Sequence, residues 1–266
     1  MNESTFRYLS ELVYRESGIV LPPEKALLLE NRVQKRLRAL GIRTETEYLE
    51  IIASDHDGVE LVELIDVVST NVTYFYREPH HFDVYSRILD SFRNEKRSEV
   101  KVWCAASSSG EEPYTLAIEA AEHLDLSRQS VRILATDICT KVLRRATKGV
   151  YRERDLDKVP PDRKSKYFER TPDSDVCYRV DPDVAKLVLF KKLNLVQFPY
   201  PLQGPVDIIF CRNVMIYFDT QTRARIVSAF ERLLRSGGYL FLSHSENLLG
   251  VPHSLERYDS SVFRKP

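Results

Sequence analysis

The chain has no excess charge of either sign: 39 Lys and Arg stand against 39 Asp and Glu in 266 residues. No global field therefore favours nucleic acid or a membrane surface. No apolar run approaches membrane-spanning length, and Met1-Asn2-Glu3-Ser4 lacks the basic-then-apolar start of a secretory signal. The four cysteines, Cys104, Cys139, Cys177 and Cys211, include no C-x-x-C pair. Cys104 and Cys211 lie in apolar, strand-like runs, where a reduced and buried thiol is expected. The six histidines include no H-x-x-x-H and no Cys/His cluster, so no metal site is expected. Adjacent His80 and His81 are assigned to solvent or packing. These absences predict a cytoplasmic protein with no membrane insertion.

Two phosphate-binding patterns are missing as well. Neither G-x-x-x-x-G-K-[ST] nor G-x-G-x-x-G occurs in the central stretch Val100–Ala117, VKVWCAASSSGEEPYTLA. What is there is a short apolar run, then Ser107-Ser108-Ser109-Gly110, then Glu111 and Glu112 with Pro113 in a first helical turn. Strand, small-residue loop and helix open a doubly wound α/β unit, whose ligands bind at the carboxyl ends of the strands. Adjacent carboxylates at that helix start would repel a pyrophosphate. They suit a ligand with an ammonium group, such as S-adenosylmethionine. They also suit the helix dipole alone, which explains them without any ligand.

Residues 1–70 show only helical periodicity. Phe6, Leu9, Leu12 and Val13 are followed by Gly18. Ala26, Leu29, Val33, Leu37 and Leu40 are ended by Gly41, and Thr44 and Glu47 form a capping-box pattern. The second of these helices carries Arg32, Lys35, Arg36 and Arg38. Between Glu24 and Arg43, six basic residues face two acidic ones. The cluster is either a solvated face or a docking surface for an acidic protein. Nucleic acid is disfavoured because no aromatic residue interleaves the basic ones.

Residues 71–98 read as a linker or ligand lid followed by the first helix of the core. Asn71, Thr73 and Arg77 are set among Tyr74, Phe75 and Tyr76. In the core, 99–266, the run Val131–Ala135 ends at Asp137, where an acid can hold ribose hydroxyls or simply cap a helix. Leu187–Leu195 reads as a core strand with Asn194 at its end. Val206–Cys211 is another, followed by Arg212-Asn213 and Tyr217. A helix over 221–235 is expected to stop at Gly237-Gly238, with a strand over Tyr239–Ser243 and a final hairpin strand in 255–264. A small antiparallel β excursion is expected at about 165–187.

Four motifs occur in order: Thr70-Asn71-x-Thr73-x-Phe75-x-Arg77-Glu78, Trp103-Cys104-Ala105 with Ser109-Gly110-Glu111-Glu112-Pro113-Tyr114, Ala135-Thr136-Asp137, and Cys211–Phe218. Together they resemble the CheR-type chemotaxis receptor methyltransferases over essentially the whole chain. One departure is Ala106-Ser107 where the family usually has Gly then Cys, a change that bears on cofactor affinity.

The resemblance implies a doubly wound S-adenosylmethionine-dependent core, a small N-terminal all-helical domain and a small antiparallel β excursion. It implies methyl-ester formation on glutamates in the cytoplasmic helical domain of chemoreceptors, with S-adenosylhomocysteine as product. The enzyme is expected to act as a monomer, without nucleic acid. Asn71, Thr73, Arg77, Glu112, Asp137, Asn194, Leu195, Arg212 and Asn213 carry over as cofactor-binding. Arg77 and Glu112 are expected on the methionine carboxylate and ammonium, and Tyr217 is expected to orient the substrate. Residues 169–183 contain no Gly, which argues against a Gly-containing loop that tethers a receptor peptide. Two alternatives stay open. A nucleic-acid amino-methyltransferase would need a Pro-Pro corner that Cys211-Arg212-Asn213-Val214 lacks. A non-catalytic S-adenosylmethionine-binding signalling module would share the cofactor site.

Overall fold

The computed structural model describes residues 1–171 and 176–266. Four helices come first: α1 Glu3–Ser17, α2 Ala26–Leu40, α3 Glu45–Ala53 and α4 Val59–Val68. Their ends are set locally. Asn2 accepts from the Thr5 N–H, Gly18 and Gly41 close α1 and α2 in left-handed conformation, and Thr44 with Glu47 forms the expected capping box. Leu9, Val13, Leu29, Val33, Tyr48 and Leu64 bury the shared core of this layer.

The remaining elements are α5 His80–Asn94, β1 Glu99–Cys104, α6 Glu111–His123, β2 Ser130–Asp137, α7 Thr140–Lys148, β3 Val150–Arg152, α8 Pro161–Tyr167, β4 Phe168–Arg170, β5 Cys177–Val180, α9 Pro182–Ala185, β6 Val188–Lys192, β7 Val206–Phe210, α10 Thr220–Leu233, β8 Leu234–Phe241, β9 Glu256–Asp259 and β10 Val262–Arg264. Seven strands form one sheet in the order β6-β2-β1-β7-β8-β10-β9. The first five are parallel neighbours, and the C-terminal hairpin adds antiparallel strands. Two apolar clusters cover the sheet, one containing Tyr85, Val102 and Phe210, the other Trp103, Ile209 and Phe230. The strand order turns back between β1 and β7, so the crevice for a ligand lies beyond Cys104 and Phe210.

Three expectations need correction. Leu187–Leu195 is not a core strand. Only Val188–Lys192 is extended, and it is a half-exposed edge. Gly237-Gly238 does not end a helix. Leu233 is the last residue of α10, and both glycines lie inside β8 at a register shift against β7. A Cβ on Gly238 would come within 2.9 Å of the Arg235 carbonyl oxygen and 3.0 Å of that of Asp207, so the pair marks an irregular strand. The small sheet, ordered β3-β5-β4, also takes in Val150–Arg152, ahead of the expected span. Residues 172–175, part of the stretch read for tethering, lie outside the described residues.

The helical layer is fastened to the core by side chains. Asp66 of α4 accepts from the N–H groups of Thr140 and Lys141 at 3.0 and 3.2 Å, and so caps α7 from another layer. Glu63 binds the Lys141 ammonium at 2.6 Å. Val20 N–H donates to the Tyr217 carbonyl at 2.9 Å. Among the described residues, no helix is long and apolar enough to cross a membrane.

Candidate active site

One cleft at the β1/β7 crevice is lined by all ten residues singled out: Asn71, Thr73, Arg77, Glu112, Asp137, Asn194, Leu195, Arg212, Asn213 and Tyr217. They come from five separate stretches of chain. The fold, more than their spacing, brings them together.

The floor is the loop after β1. Gly110 sits at φ +99°, and a Cβ there would lie 2.6 Å from the Tyr151 hydroxyl and 2.9 Å from the Ala146 Cβ, so only glycine fits this close approach. Asp137, at the end of β2, is buried. Its Oδ2 accepts the Ser108 N–H at 2.8 Å and its Oδ1 the Cys139 N–H at 2.9 Å. Burial lifts the Asp137 carboxyl above its ordinary range, against these backbone bonds, which lower it. Each oxygen keeps a second acceptor site, and a pair of such sites suits a ribose diol.

The charged wall centres on Arg212, whose side chain is fully buried. Its Nη1 donates to Glu112 Oε2 at 2.9 Å, and its Nη2 lies 3.3 Å from Glu78 Oε2 and donates to the Arg77 carbonyl. Burial raises the Glu112 carboxyl, while Arg212 pulls it down. Burial would lift Glu78 too, but Arg212 and the bonds from the His244 N–H and the Asn213 amide hold it below its ordinary value. With both carboxylates ionised, two negative charges share one guanidinium, which leaves a net negative pole suited to an ammonium group.

Arg77 lines the cleft with one guanidinium nitrogen engaged in its own segment. Its Nη1 donates to the Val72 carbonyl at 2.7 Å and its guanidinium lies 5.8 Å from the Tyr74 ring centre. It closes the 72–77 segment on itself. Asn194 spends its amide on the Glu16 carbonyl at 2.7 Å and on the Val196 N–H at 3.1 Å. It therefore ties the end of α1 to the core. The 71–78 segment is held from below by Phe75, packed edge-on against Tyr151 and Phe168 at 4.9 and 5.3 Å, and by Ser108 Oγ donating to the Asn71 carbonyl. Tyr76 and Glu78, at φ +57° and +58°, give it a left-handed, strained path.

Sequence reading missed two contributions. The helical layer supplies part of the cleft through Ile19, Val20, Leu21, Lys25 and Leu28. The signal was the apolar Ile19-Val20-Leu21 just after the Gly18 stop. The second is a cluster in which Glu78, His81 and His244 each bring one donor atom within 4.8 Å of the others. His81 is buried and neutral, held down to about 4 mainly by burial, with Arg212 adding to the effect. Arg212 already supplies the positive charge beside the Glu78 oxygen, so this cluster is no case for a metal ion.

The basic face of α2 is corrected at one position. Arg36 is buried. It makes a bidentate pair with Glu60, Nε–Oε1 2.8 Å and Nη2–Oε2 2.7 Å, and reaches Glu63 Oε2 at 2.8 Å. Tyr48 adds a hydroxyl bond to Glu60. Arg36 is an internal tie between α2 and α4, whereas Lys35 and Arg38 are exposed and Arg32 is half-buried.

Comparison with known proteins fits this geometry. Residues 71–263 match the CheR methyltransferase, SAM binding domain, and residues 4–69 the CheR methyltransferase, all-alpha domain. The chain belongs to the CheR methyltransferase family. A chemotaxis protein methyltransferase of Klebsiella aerogenes is 41% identical over 99% of this chain and 90% of its own length. One from Borreliella burgdorferi is 39% identical over 91% of this chain and 87% of its own. One from Escherichia coli is 39% identical over 93% and 85%.

The family's cofactor suits the residues present. The cleft offers carboxylate acceptors at Asp137 and Glu112. Arg212, which lines it, also has one buried nitrogen, Nε, without a partner among the described residues. Ser107, at the point of departure from the family pattern, is fully buried, and Ala106 lines the cleft.

Proposed function

We propose that the protein is a protein-glutamate O-methyltransferase acting in the cytoplasm, as a monomer, on the helical cytoplasmic domain of chemoreceptors. Bound in the cleft, S-adenosylmethionine would supply a sulfonium methyl group and leave as S-adenosylhomocysteine. Asp137 would take its ribose, Glu112 its ammonium group, and Asn71, Thr73 and Leu195 would line it. The relatives' role in chemotaxis supports the substrate class.

The observation that carries the reading is Tyr217. It lines the cleft on the one-turn helix Met215–Tyr217, and among the described residues no protein group is bonded to its hydroxyl. That hydroxyl can donate to one oxygen of a substrate carboxylate and aim the other at the methyl carbon. A glutamate, with a reference pKa of about 4.3, is already ionised at neutral pH. It would form the new C–O bond with its own electron pair as the C–S pair returned to sulfur, so the chain would need no general base. Its task is alignment and exclusion of water.

Tyr217→Phe keeps the ring and removes the donor. It should lower turnover by about 10- to 1000-fold with S-adenosylhomocysteine affinity unchanged, as for a lost positioning contact. Parent turnover in both Tyr217→Phe and Tyr217→Ala would remove Tyr217 from the reaction. For docking, the exposed pair Lys35 and Arg38 replaces Arg36 as the face to test. Lys35→Glu with Arg38→Glu should raise KM for a receptor fragment and spare kcat, and added salt should weaken the parent in the same way. An unchanged KM would make this face a solvated surface only.

A further inference from the structure

We propose that Glu246 is the positioning residue for the turn that presents Tyr217 to the substrate, an assignment that rests on the role given to Tyr217 above. Glu246 lies just beyond β8 and is 6% exposed. Its carboxylate accepts three backbone N–H groups. Oε1 takes that of Met215 at 2.8 Å, and Oε2 takes those of Asn213 at 3.0 Å and Ser243 at 2.9 Å. Its own N–H donates to the Ser243 carbonyl at 3.0 Å. One carboxylate thus joins the ends of β7 and β8.

Apart from Glu246 the segment is held at its two ends, by the Arg212 ion pairs and the Asn213 amide on Glu78 at one and by the Val20 N–H on the Tyr217 carbonyl at the other. After Phe210 the chain leaves the sheet, and Asn213 takes a left-handed conformation at φ +59°. Asparagine tolerates that region, but it does not enforce it. The N–H groups of Asn213 and Met215 bond to no strand, and without the carboxylate that of Met215 would be buried without a partner. Met215 begins the single helical turn that ends at Tyr217, so its bond to Glu246 fixes the start of that turn, while the Val20 N–H holds the Tyr217 carbonyl at its end. Charge-assisted bonds of this kind are short and strong, and three from one side chain over-determine the turn.

Arg212 lies at the start of the same turn but is held separately, by Glu112, Glu78 and the Arg77 carbonyl, and although Asn213 gives its N–H to Glu246, its side-chain amide is held by Glu78 Oε1 at 3.3 Å. Loosening Glu246 should therefore move the substrate side of the site and spare the cofactor side. A displacement of the order of 1 Å at a positioned group costs about 10²-fold in rate.

Glu246→Gln keeps the size and replaces one acceptor by an NH2 that faces backbone donors. Its kcat for receptor methylation should fall about 10- to 100-fold while S-adenosylhomocysteine affinity stays within about threefold. Glu246→Asp keeps the charge, cannot span all three donors, and should show the same loss. It serves if the Gln variant does not fold. In a Tyr217→Phe background the Gln substitution should cost less than about threefold, because both changes then remove one positioning effect. Parent kcat in a folded Glu246→Gln or Glu246→Asp protein, whatever its melting temperature, overturns the proposal. So do equal penalties in the two backgrounds. A silent Tyr217→Phe single variant would count against the role of Tyr217 itself, and is read without reference to Glu246.

Discussion

Arg212→Met is expected to destabilise the protein by about 3–5 kcal/mol at neutral pH, the usual cost of removing one partner from a buried charge cluster. The guanidinium is fully buried between Glu112 and Glu78. Methionine fills part of the volume and leaves two carboxylates without their cation. Glu112 is already lifted by burial, with Arg212 working against that effect. Without Arg212, both carboxyls should rise above their values in the unfolded chain. A carboxyl raised in the folded state favours folding where it is protonated, so the deficit should shrink as pH falls from 7 towards 5. Urea unfolding at the two pH values reads this directly. A deficit that stays constant, or grows, on acidification would show that the lost packing of a long side chain dominates over charge.

Asp137→Ala is expected to weaken S-adenosylhomocysteine binding by about 1–3 kcal/mol, roughly 10- to 150-fold in Kd. Two losses combine. The ribose acceptors go, and so do the bonds that hold the Ser108 and Cys139 N–H groups in the loop floor. Asp137→Asn should lie between parent and Ala, since it keeps one acceptor oxygen. Isothermal calorimetry on variants with parent-like circular dichroism decides the matter. Unchanged affinity in Asp137→Ala would reduce the strand-end Asp to a cap for α7.

What the sequence made legible was local. Helix stops at Gly18 and Gly41 and the capping box at Thr44 follow from backbone chemistry within a few residues. The buried strands β1, β2 and β7 follow from short β-branched, apolar runs. The cleft residues were found by the order of their motifs, and the sheet's turning point between β1 and β7 explains why those motifs meet.

What failed was long-range. Charge alone put Arg36 on the surface, yet the acids that bury it, Glu60 and Glu63, lie on another helix. Gly237-Gly238 reads as a helix stop, and only the approach of the Asp207 carbonyl shows that it is a strand irregularity. Asn194 lines the cleft, and its amide also reaches the Glu16 carbonyl across the layer boundary, a tie that no local pattern announces. Glu246 carries no local pattern, because its three partners are set by how β7 and β8 lie side by side.

The reading that ties these features together is methyl transfer to a glutamate carboxylate, and the bond formed is the most direct witness to it. The protein is incubated with methyl-labelled S-adenosylmethionine and a receptor cytoplasmic fragment, and the labelled fragment is treated with mild base. A carboxyl ester hydrolyses and releases labelled methanol, whereas a methyl group on nitrogen stays on the chain. The account predicts label on receptor glutamates, nearly all of it released by base and little of it formed by Tyr217→Phe. Label that survives base, or a protein that binds S-adenosylhomocysteine yet transfers no methyl group to the fragment, would contradict it.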